Sequence, residues 1–339
     1  MSESIPWMPC WGEGSVVASN ADAFVFSSPG MEPLRPEQEA VLVIGAFDGV
    51  HLGHQALARK ATEDAKRRNL PCVAITFDPD PAEVVGPSNG GGRLLCTRDR
   101  CRGLLAIGMD YVVVLRFTPQ LAGLEPEEFV GRTLLRTTHP VSVHVGSNFR
   151  FGHKGVGNTD LFFQLGIELG FEVYAHGLME MEGKTISASR IRLLLQEGKV
   201  DEAKALLGRS HAVRGIVEHG RGEGTSFGFP TANVTFDVQE CLPKDGVYGC
   251  YFVSDKSAWP AAVNVGAPPS FQTSTSRFLE ANLIGFDGSL YGAKVIVTFE
   301  HWLRDSRRFD SLEELKGVVL ENIEWVRKNL GTRRMEVQR

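Results

Sequence analysis

Residues 40–54 read AVLVIGAFDGVHLGH, and they set the fold of the first half of the chain. Ala40–Ile44 is an apolar, β-branched run that ends at Gly45, the pattern of a strand buried on both faces. A glycine-bearing turn follows. Gln55–Arg68 then places Ala56, Leu57, Ala61 and Ala65 at helical spacing, and Cys72–Phe77 is a second buried-strand run. Strand, helix, strand makes a βαβ unit, which predicts a parallel sheet.

Outward from that unit the alternation continues. Arg98–Ile107 predicts a helix and Tyr111–Leu115 a strand. Pro126–Arg136 predicts a helix, with proline and two glutamates in its first turn, as a helix start prefers. Val141–Val145, Asp160–Leu169 and Phe171–Ala175 read as strand, helix and strand. This is a doubly wound α/β domain. Helices Ser187–Glu197 and Val200–Leu207 come next. After Gly208 short β-rich runs appear at Ala212–Val217, Thr231–Phe236, Gly246–Val253, Ala261–Val265, Arg277–Ile284 and Lys294–Phe299, the spacing of a small antiparallel barrel. Leu312–Asn329 is a closing amphipathic helix. Upstream, Pro6, Pro9, Pro29 and Pro33 break residues 1–35 into short pieces, with one short strand expected at Val16–Val17 or Ala23–Phe26. The expected division is 1–185, a helical link at 186–208, the barrel at 209–330 and a tail at 331–339.

The chain has 339 residues, 42% hydrophobic and 23% charged, enough for two cores. A net charge of −5 argues against a nucleic-acid binder, without excluding a local basic pocket. No apolar run reaches the ~18 residues of a membrane span. Met1–Gly14 carries Glu3 and Glu13 and lacks the basic and apolar regions of a secretory signal. The six cysteines, Cys10, Cys72, Cys96, Cys101, Cys241 and Cys250, are scattered and form no C-x-x-C pair. They read as thiols of a cytoplasmic protein.

The turn after the first strand carries chemistry. Ligands of open α/β sheets sit beyond the carboxyl ends of the strands. A glycine-rich turn admits a phosphate, and the helix N-terminus behind it offers free N–H groups and positive potential. His51 and His54 stand at that place. Paired imidazoles beside a polyphosphate suit nucleotidyl transfer, in which charge builds on the α-phosphate and on departing pyrophosphate. An H-x-x-H pair alone also occurs in zinc sites and on plain surfaces. The longer string FDGVHLGHQAL, Phe47–Leu57, resembles the nucleotidyltransferase superfamily, and within it the FMN adenylyltransferase branch of the bacterial bifunctional riboflavin kinase/FAD synthetases.

Further segments resemble that family in its order. TFDPDP, Thr76–Pro81, is similar to T-F-x-P-H-P. VGSNFRFGHKGVGN, Val145–Asn158, is similar to the flavin- and nucleotide-binding run G-x-[DN]-F-x-F-G. ISASRIR, Ile186–Arg192, is similar to the stretch that closes over the triphosphate. The resemblance implies ATP contacts at Gly45, Phe47, Asp48, Gly53, Ser187 and Arg190, with Arg192 a further phosphate partner. It implies flavin contacts at Asn148, Phe149 and Phe151. The chain departs from the pattern at Asp80, where the family has histidine, at Gly155, where arginine is common, and at Ala188–Ser189 in place of Ser-Thr. An acidic Asp80 beside a polyphosphate is unfavourable unless magnesium bridges it.

In the barrel half, GFPTAN, Gly228–Asn233, fixes a turn at Pro230 and puts Thr231 and Asn233 on one side of a strand. A hydroxyl and an amide oxygen so placed suit Mg²⁺ with phosphate oxygens. A T-x-N pair also serves as an ordinary turn or cross-strand contact. The string resembles the riboflavin kinase signature, as do LPKDGVYG (Leu242–Gly249), NVGAPPSF (Asn264–Phe271) and LEANLIGFDGSLYG (Leu279–Gly292). By that resemblance Glu280 is the general base, Thr231 and Asn233 hold the metal, and Gly220, Gly222, Gly224 and Gly228 line the ATP loop. Asn282, Gly285 and Thr225 replace the family's histidine, aspartate and arginine.

The resemblance therefore implies a Rossmann-like nucleotidyltransferase domain followed by an antiparallel flavokinase β-barrel with a C-terminal helix. It implies phosphorylation of riboflavin to FMN and adenylylation of FMN to FAD, each with ATP and Mg²⁺, in a monomer or weak homo-oligomer without nucleic-acid or membrane partners. Two alternatives stay open. One is a riboflavin kinase with an inactive first domain, which forms FMN and no FAD. The other is a non-catalytic flavin or nucleotide sensor, which forms neither. A third, distant reading is a nucleotidyltransferase acting on another phosphate such as phosphopantetheine.

Overall fold

A computed structural model of the chain describes residues 15–19, 22–86, 91–219, 230–266, 278–307 and 309–337. Two compact units emerge, Trp11–Gly90 with Leu95–Ala188, and Gly91–Leu94 with Ser189–Arg339.

The first unit is built on a sheet of seven strands: β1 (Ser15–Ser19), β2 (Ala23–Ser27), β3 (Glu39–Ile44), β4 (Cys72–Asp78), β5 (Tyr111–Arg116), β6 (His139–Gly146) and β7 (Glu172–His176). Their spatial order is β1-β2-β5-β4-β3-β6-β7. The last five are mutually parallel, and β1 and β2 add an antiparallel hairpin beside β5. The sequence predicted one strand in that region; the antiparallel β2–β5 register shows that both runs pair. Ala40–Ile44 is buried throughout. Each such Val, Leu or Ile contributes about 1.5–3 kcal/mol, so this run anchors the centre of the sheet. From β3 the chain builds β4 and β5 on one side and then crosses to β6 on the other. The switch point of this doubly wound sheet therefore lies between β3 and β6.

Helix Leu52–Arg68 ends at Asn69, whose left-handed φ of 55° lets its N–H reach the Ala65 and Lys66 carbonyls. Helix Thr159–Leu169 is capped by the Asn158 side chain and stopped by Gly170. Where one helix was expected over Pro126–Arg136, the structure has Pro126–Phe129, a π-helical turn Val130–Leu134 and a last turn Leu135–Thr137. Pro81–Val85 forms a further short helix, capped by Asp80.

In the second unit, helices Ala188–Gln196 and Val200–Leu207 precede the barrel. After the small hairpin β8 (Glu180–Met181) and β9 (Lys184–Thr185) of the first unit, its strands are β10 (His211–Glu218), β11 (Ala232–Thr235), β12 (Gly246–Ser254), β13 (Ser257–Gly266), β14 (Phe278–Leu283) and β15 (Lys294–Asp305). The order β12-β15-β10-β11-β14-β13 closes by the β12–β13 pairing, with every pair antiparallel. Closure removes free edges. β16 (Met335–Glu336) adds only to the start of β13. Helix Leu312–Leu330, capped by Ser311, packs Ile323 and Val326 on Ala262 and Ile284. The five described cysteines are unbridged. Among the described residues no helix is long and apolar enough to cross a membrane.

Candidate active sites

The turn after β3 is held in an uncommon shape. Phe47 and Val50 take left-handed φ values of 53° and 40°, and Gly49 takes 78°. Non-glycine residues pay of order 1–3 kcal/mol for such angles, so surrounding contacts must impose them. Three contacts do. The Ala46 carbonyl accepts from Thr76 Oγ1 and from Arg100 Nη1, each at 2.8 Å. Asp48 Oδ1 accepts from the Leu95 N–H at 3.2 Å. Phe47 is fully buried.

His51 caps helix Leu52–Arg68: its Nδ1 accepts from the His54 N–H at 3.3 Å. Neutral His51 therefore carries its proton on Nε2. The two rings stack with centroids 3.6 Å apart, and Phe47 meets His54 edge-on. Gly53 leaves room for this arrangement, because a Cβ there would lie 3.1 Å from His51 Cε1 and the ring would have to shift by a few tenths of an ångström. Burial, the adjacent His51 and the Arg100 guanidinium hold the His54 pKa well below the usual imidazole value. His54 Nδ1 is shielded and finds no partner among the described residues. No acidic side chain stands in the first turn of this helix, so its positive end is unopposed.

Asn148, Phe149 and Phe151, predicted for this unit, lie in the loop that follows β6. The loop Gly146–Asn158 leaves the carboxyl end of β6, next to β3. Asn148 is exposed and Phe149 half-buried. The Phe151 ring lies in the core, stacked on Phe149 and packed on Phe162. Gly155 takes a left-handed φ of 65°. Ser187 lies just before helix Ala188–Gln196, which carries Arg190. In the second unit Arg192 Nε donates to the Gly92 carbonyl at 2.6 Å.

Arg100 was missed from sequence, where it reads as one charge among several in TRDRCR. The guanidinium is 3% exposed. It joins the ends of two strands, with Nη1 on the Ala46 carbonyl and Nη2 on the Phe77 carbonyl at 2.6 Å. Asp80 Oδ2 lies 3.9 Å from Nη1, while Oδ1 caps helix Pro81–Val85 through the Ala82 N–H at 2.9 Å.

In the barrel, Asn233 on β11 stands opposite Glu280 on β14, which stands opposite Asn264 on β13. Thr231 Oγ1 donates to Glu280 Oε1 at 2.7 Å. The flanking Leu279, Ala281 and Val234 are fully buried, so the alternation turns Glu280 and Asn233 to the opposite face. Asn282 Nδ2 donates to the Pro230 carbonyl at 3.0 Å and so fixes the entry to Thr231. Gly285 has φ 73°, and a Cβ there would meet the Thr332 carbonyl at 2.7 Å, which leaves no room for aspartate. Gly220, Gly222, Gly224 and Gly228, with Thr225, lie outside the described residues. Thr231 and Asn233 present hard oxygen ligands, a donor set that would suit Mg²⁺ completed by phosphate oxygens.

A doubly wound domain with paired histidines at its switch point, joined to a closed six-stranded barrel with a hydroxyl–carboxylate pair on its wall, defines a two-domain class of nucleotide-using transferase. Known proteins specify it further. The FAD synthetase family matches residues 34–190 and the riboflavin kinase family residues 207–330. The bifunctional riboflavin kinase/FMN adenylyltransferase of Pseudomonas fluorescens is 35% identical over 86% of this chain and 93% of its own. That of Escherichia coli K12 is 34% identical over 84% and 90%. A solved Streptococcus pneumoniae structure, described as a macrolide-efflux protein, matches with a TM-score of 0.78 and 30% identity over 86% of this chain and 94% of that one. The chain belongs to the bifunctional riboflavin kinase/FMN adenylyltransferase family.

Proposed function

We propose that this chain phosphorylates riboflavin to FMN at the barrel and adenylylates FMN to FAD at the α/β switch point, using ATP in both steps. The observation that carries the reading is the presence of both constellations in one chain: the stacked His51/His54 pair at a helix N-terminus, and Glu280 held by Thr231.

At the barrel, Glu280 takes the proton of the ribityl 5′-hydroxyl as that oxygen bonds to the γ-phosphorus and ADP leaves. Thr231 orients the carboxylate through its 2.7 Å hydrogen bond. Mg²⁺, held by Thr231 and Asn233, supplies neutralisation of charge on the phosphate oxygens when bound. Gly220, Gly222, Gly224 and Gly228, which lie outside the described residues, are assigned to the ATP phosphates by the family resemblance alone.

At the switch point, Gly45, Phe47, Asp48 and Gly53 shape the turn that receives the triphosphate, with Ser187 as a further partner. An oxygen of the FMN phosphate attacks the α-phosphorus, and pyrophosphate departs. His51 and His54 donate hydrogen bonds to the oxygens on which charge builds. Burial and the stacked His51 ring disfavour a charge on His54 and keep it neutral. Asn148 and Phe149 offer a polar contact and a ring to the flavin, and Phe151 supports Phe149 from the core. The working division is 1–185 for adenylyl transfer, 186–208 as helical link and 209–330 for the kinase. The setting is cytoplasmic and the chain acts as a monomer or weak homo-oligomer.

The test is chromatography of purified protein with riboflavin, ATP and Mg²⁺. FMN followed by FAD is the expected result. FMN alone, also when FMN is the substrate offered, would leave only the kinase; no product would overturn the proposal.

A further inference from the structure

Asp80 stands at the carboxyl end of β4, on the side of the sheet from which the histidine turn emerges. Its carboxylate is 12% exposed and belongs where a polyanion is to bind. An unbalanced negative charge there opposes a triphosphate. The structure supplies the balance. Arg100 approaches the carboxylate at 3.9 Å, and the same Nη1 holds the Ala46 carbonyl at the base of the Phe47–Val50 turn. Nη2 spans to the Phe77 carbonyl, just ahead of Asp80. One buried guanidinium therefore fixes the shape of the turn and offsets the acid beside it.

We infer that Arg100 is a positioning residue for adenylyl transfer, and that Asp80 and Arg100 act as a matched pair that keeps the switch point open to ATP. The pair is what makes an acid tolerable at position 80. Arg100 touches no substrate in this account; it works through the Ala46 carbonyl and the Asp80 carboxylate. A lysine could answer the charge but could not span both carbonyls, since only a guanidinium presents a planar fork of donors.

This inference rests on the adenylyltransferase reading of the first unit. Its test is a double-mutant cycle in the full chain, with FAD formation from FMN as the signal and FMN formation from riboflavin as the internal check. Asp80→Asn keeps the helix cap and removes the charge, and is expected to change FAD formation about twofold to threefold. Arg100→Gln leaves Asp80 unbalanced, and KM for ATP in FAD formation is expected to rise about tenfold with riboflavin phosphorylation unchanged. The double variant is expected to recover the part of that loss that comes from the unbalanced Asp80 charge, while the part that comes from the lost Ala46 and Phe77 contacts remains, and Arg100→Lys to fall between wild type and Arg100→Gln. Multiplicative losses in the cycle, or an equal fall in riboflavin phosphorylation with Arg100→Gln, would overturn the matched pair while leaving the proposed function standing. A wild-type chain that makes no FAD would overturn both.

Discussion

Thr231 Oγ1 donates a 2.7 Å hydrogen bond to Glu280 Oε1, joining the residue ahead of β11 to the strand β14 that carries the base. A carboxylate held by one defined donor keeps a free oxygen for a proton. Glu280→Gln should therefore lower kcat for FMN formation roughly 10²- to 10⁴-fold. Thr231→Ala should cost less in kcat and more in the metal dependence, read from initial rates across Mg²⁺ concentrations.

Gly53 allows the His51 ring to lie over the start of its helix. Gly53→Ala puts a methyl 3.1 Å from His51 Cε1 and 3.2 Å from Nδ1, the atom that accepts from the His54 N–H. The ring must move. FAD formation from FMN should fall roughly tenfold to hundredfold, while riboflavin phosphorylation holds. Paired assays of the two reactions check this.

His211 is buried in the barrel and donates through Nε2 to the Cys241 carbonyl at 2.6 Å. Burial pushes its pKa down to about 4, against the Cys241 hydrogen bond and helped by Arg209. The folded barrel thus refuses a proton that the unfolded chain accepts below about pH 6.5. Stability from the neutral ring is complete above that pH and declines as pH falls toward 4. His211→Gln keeps the donor and removes the titration. Urea denaturation should show a shallower acid decline for the variant, with a difference on the order of 3 kcal/mol near pH 4.

Asp64 is buried in the first unit and accepts from Ser142 at 2.6 Å, His144 at 3.2 Å and Arg67 at 2.7 Å, with Arg68 at 3.1 Å. Burial raises its pKa, but hydrogen bonds from Ser142, His144 and Arg68 outweigh it and set the group at about 2. Asp64→Ala removes the shared acceptor and leaves the buried Ser142 and His144 donors without it, which should cost about 1–3 kcal/mol. Thermal denaturation of wild type and variant at neutral pH measures it.

Much of this architecture is written locally. The β-branched run Val41–Ile44, its glycine stop and the spacing of Ala56, Leu57, Ala61 and Ala65 predict strand, turn and helix because each depends on neighbours in sequence. The β1–β2 hairpin is only half legible, since these five-residue strands gain their stability from pairing, β1 with β2 and β2 with β5. The site is less local. Thr231 and Glu280 are 49 positions apart and meet only because β11 pairs with β14. Family-like strings named both residues; spacing alone could not join them. Arg100 carried no signal at all, because its partners Ala46 and Phe77 are backbone carbonyls, which any residue supplies.

The central claim is that two separate constellations run two separable reactions. The most direct measurement is product formation by Glu280→Gln given riboflavin or FMN in parallel, with ATP and Mg²⁺. The account predicts almost no FMN from riboflavin and wild-type rates of FAD from FMN. Loss of both reactions together in a folded variant, or FMN formation at wild-type rate, would contradict it.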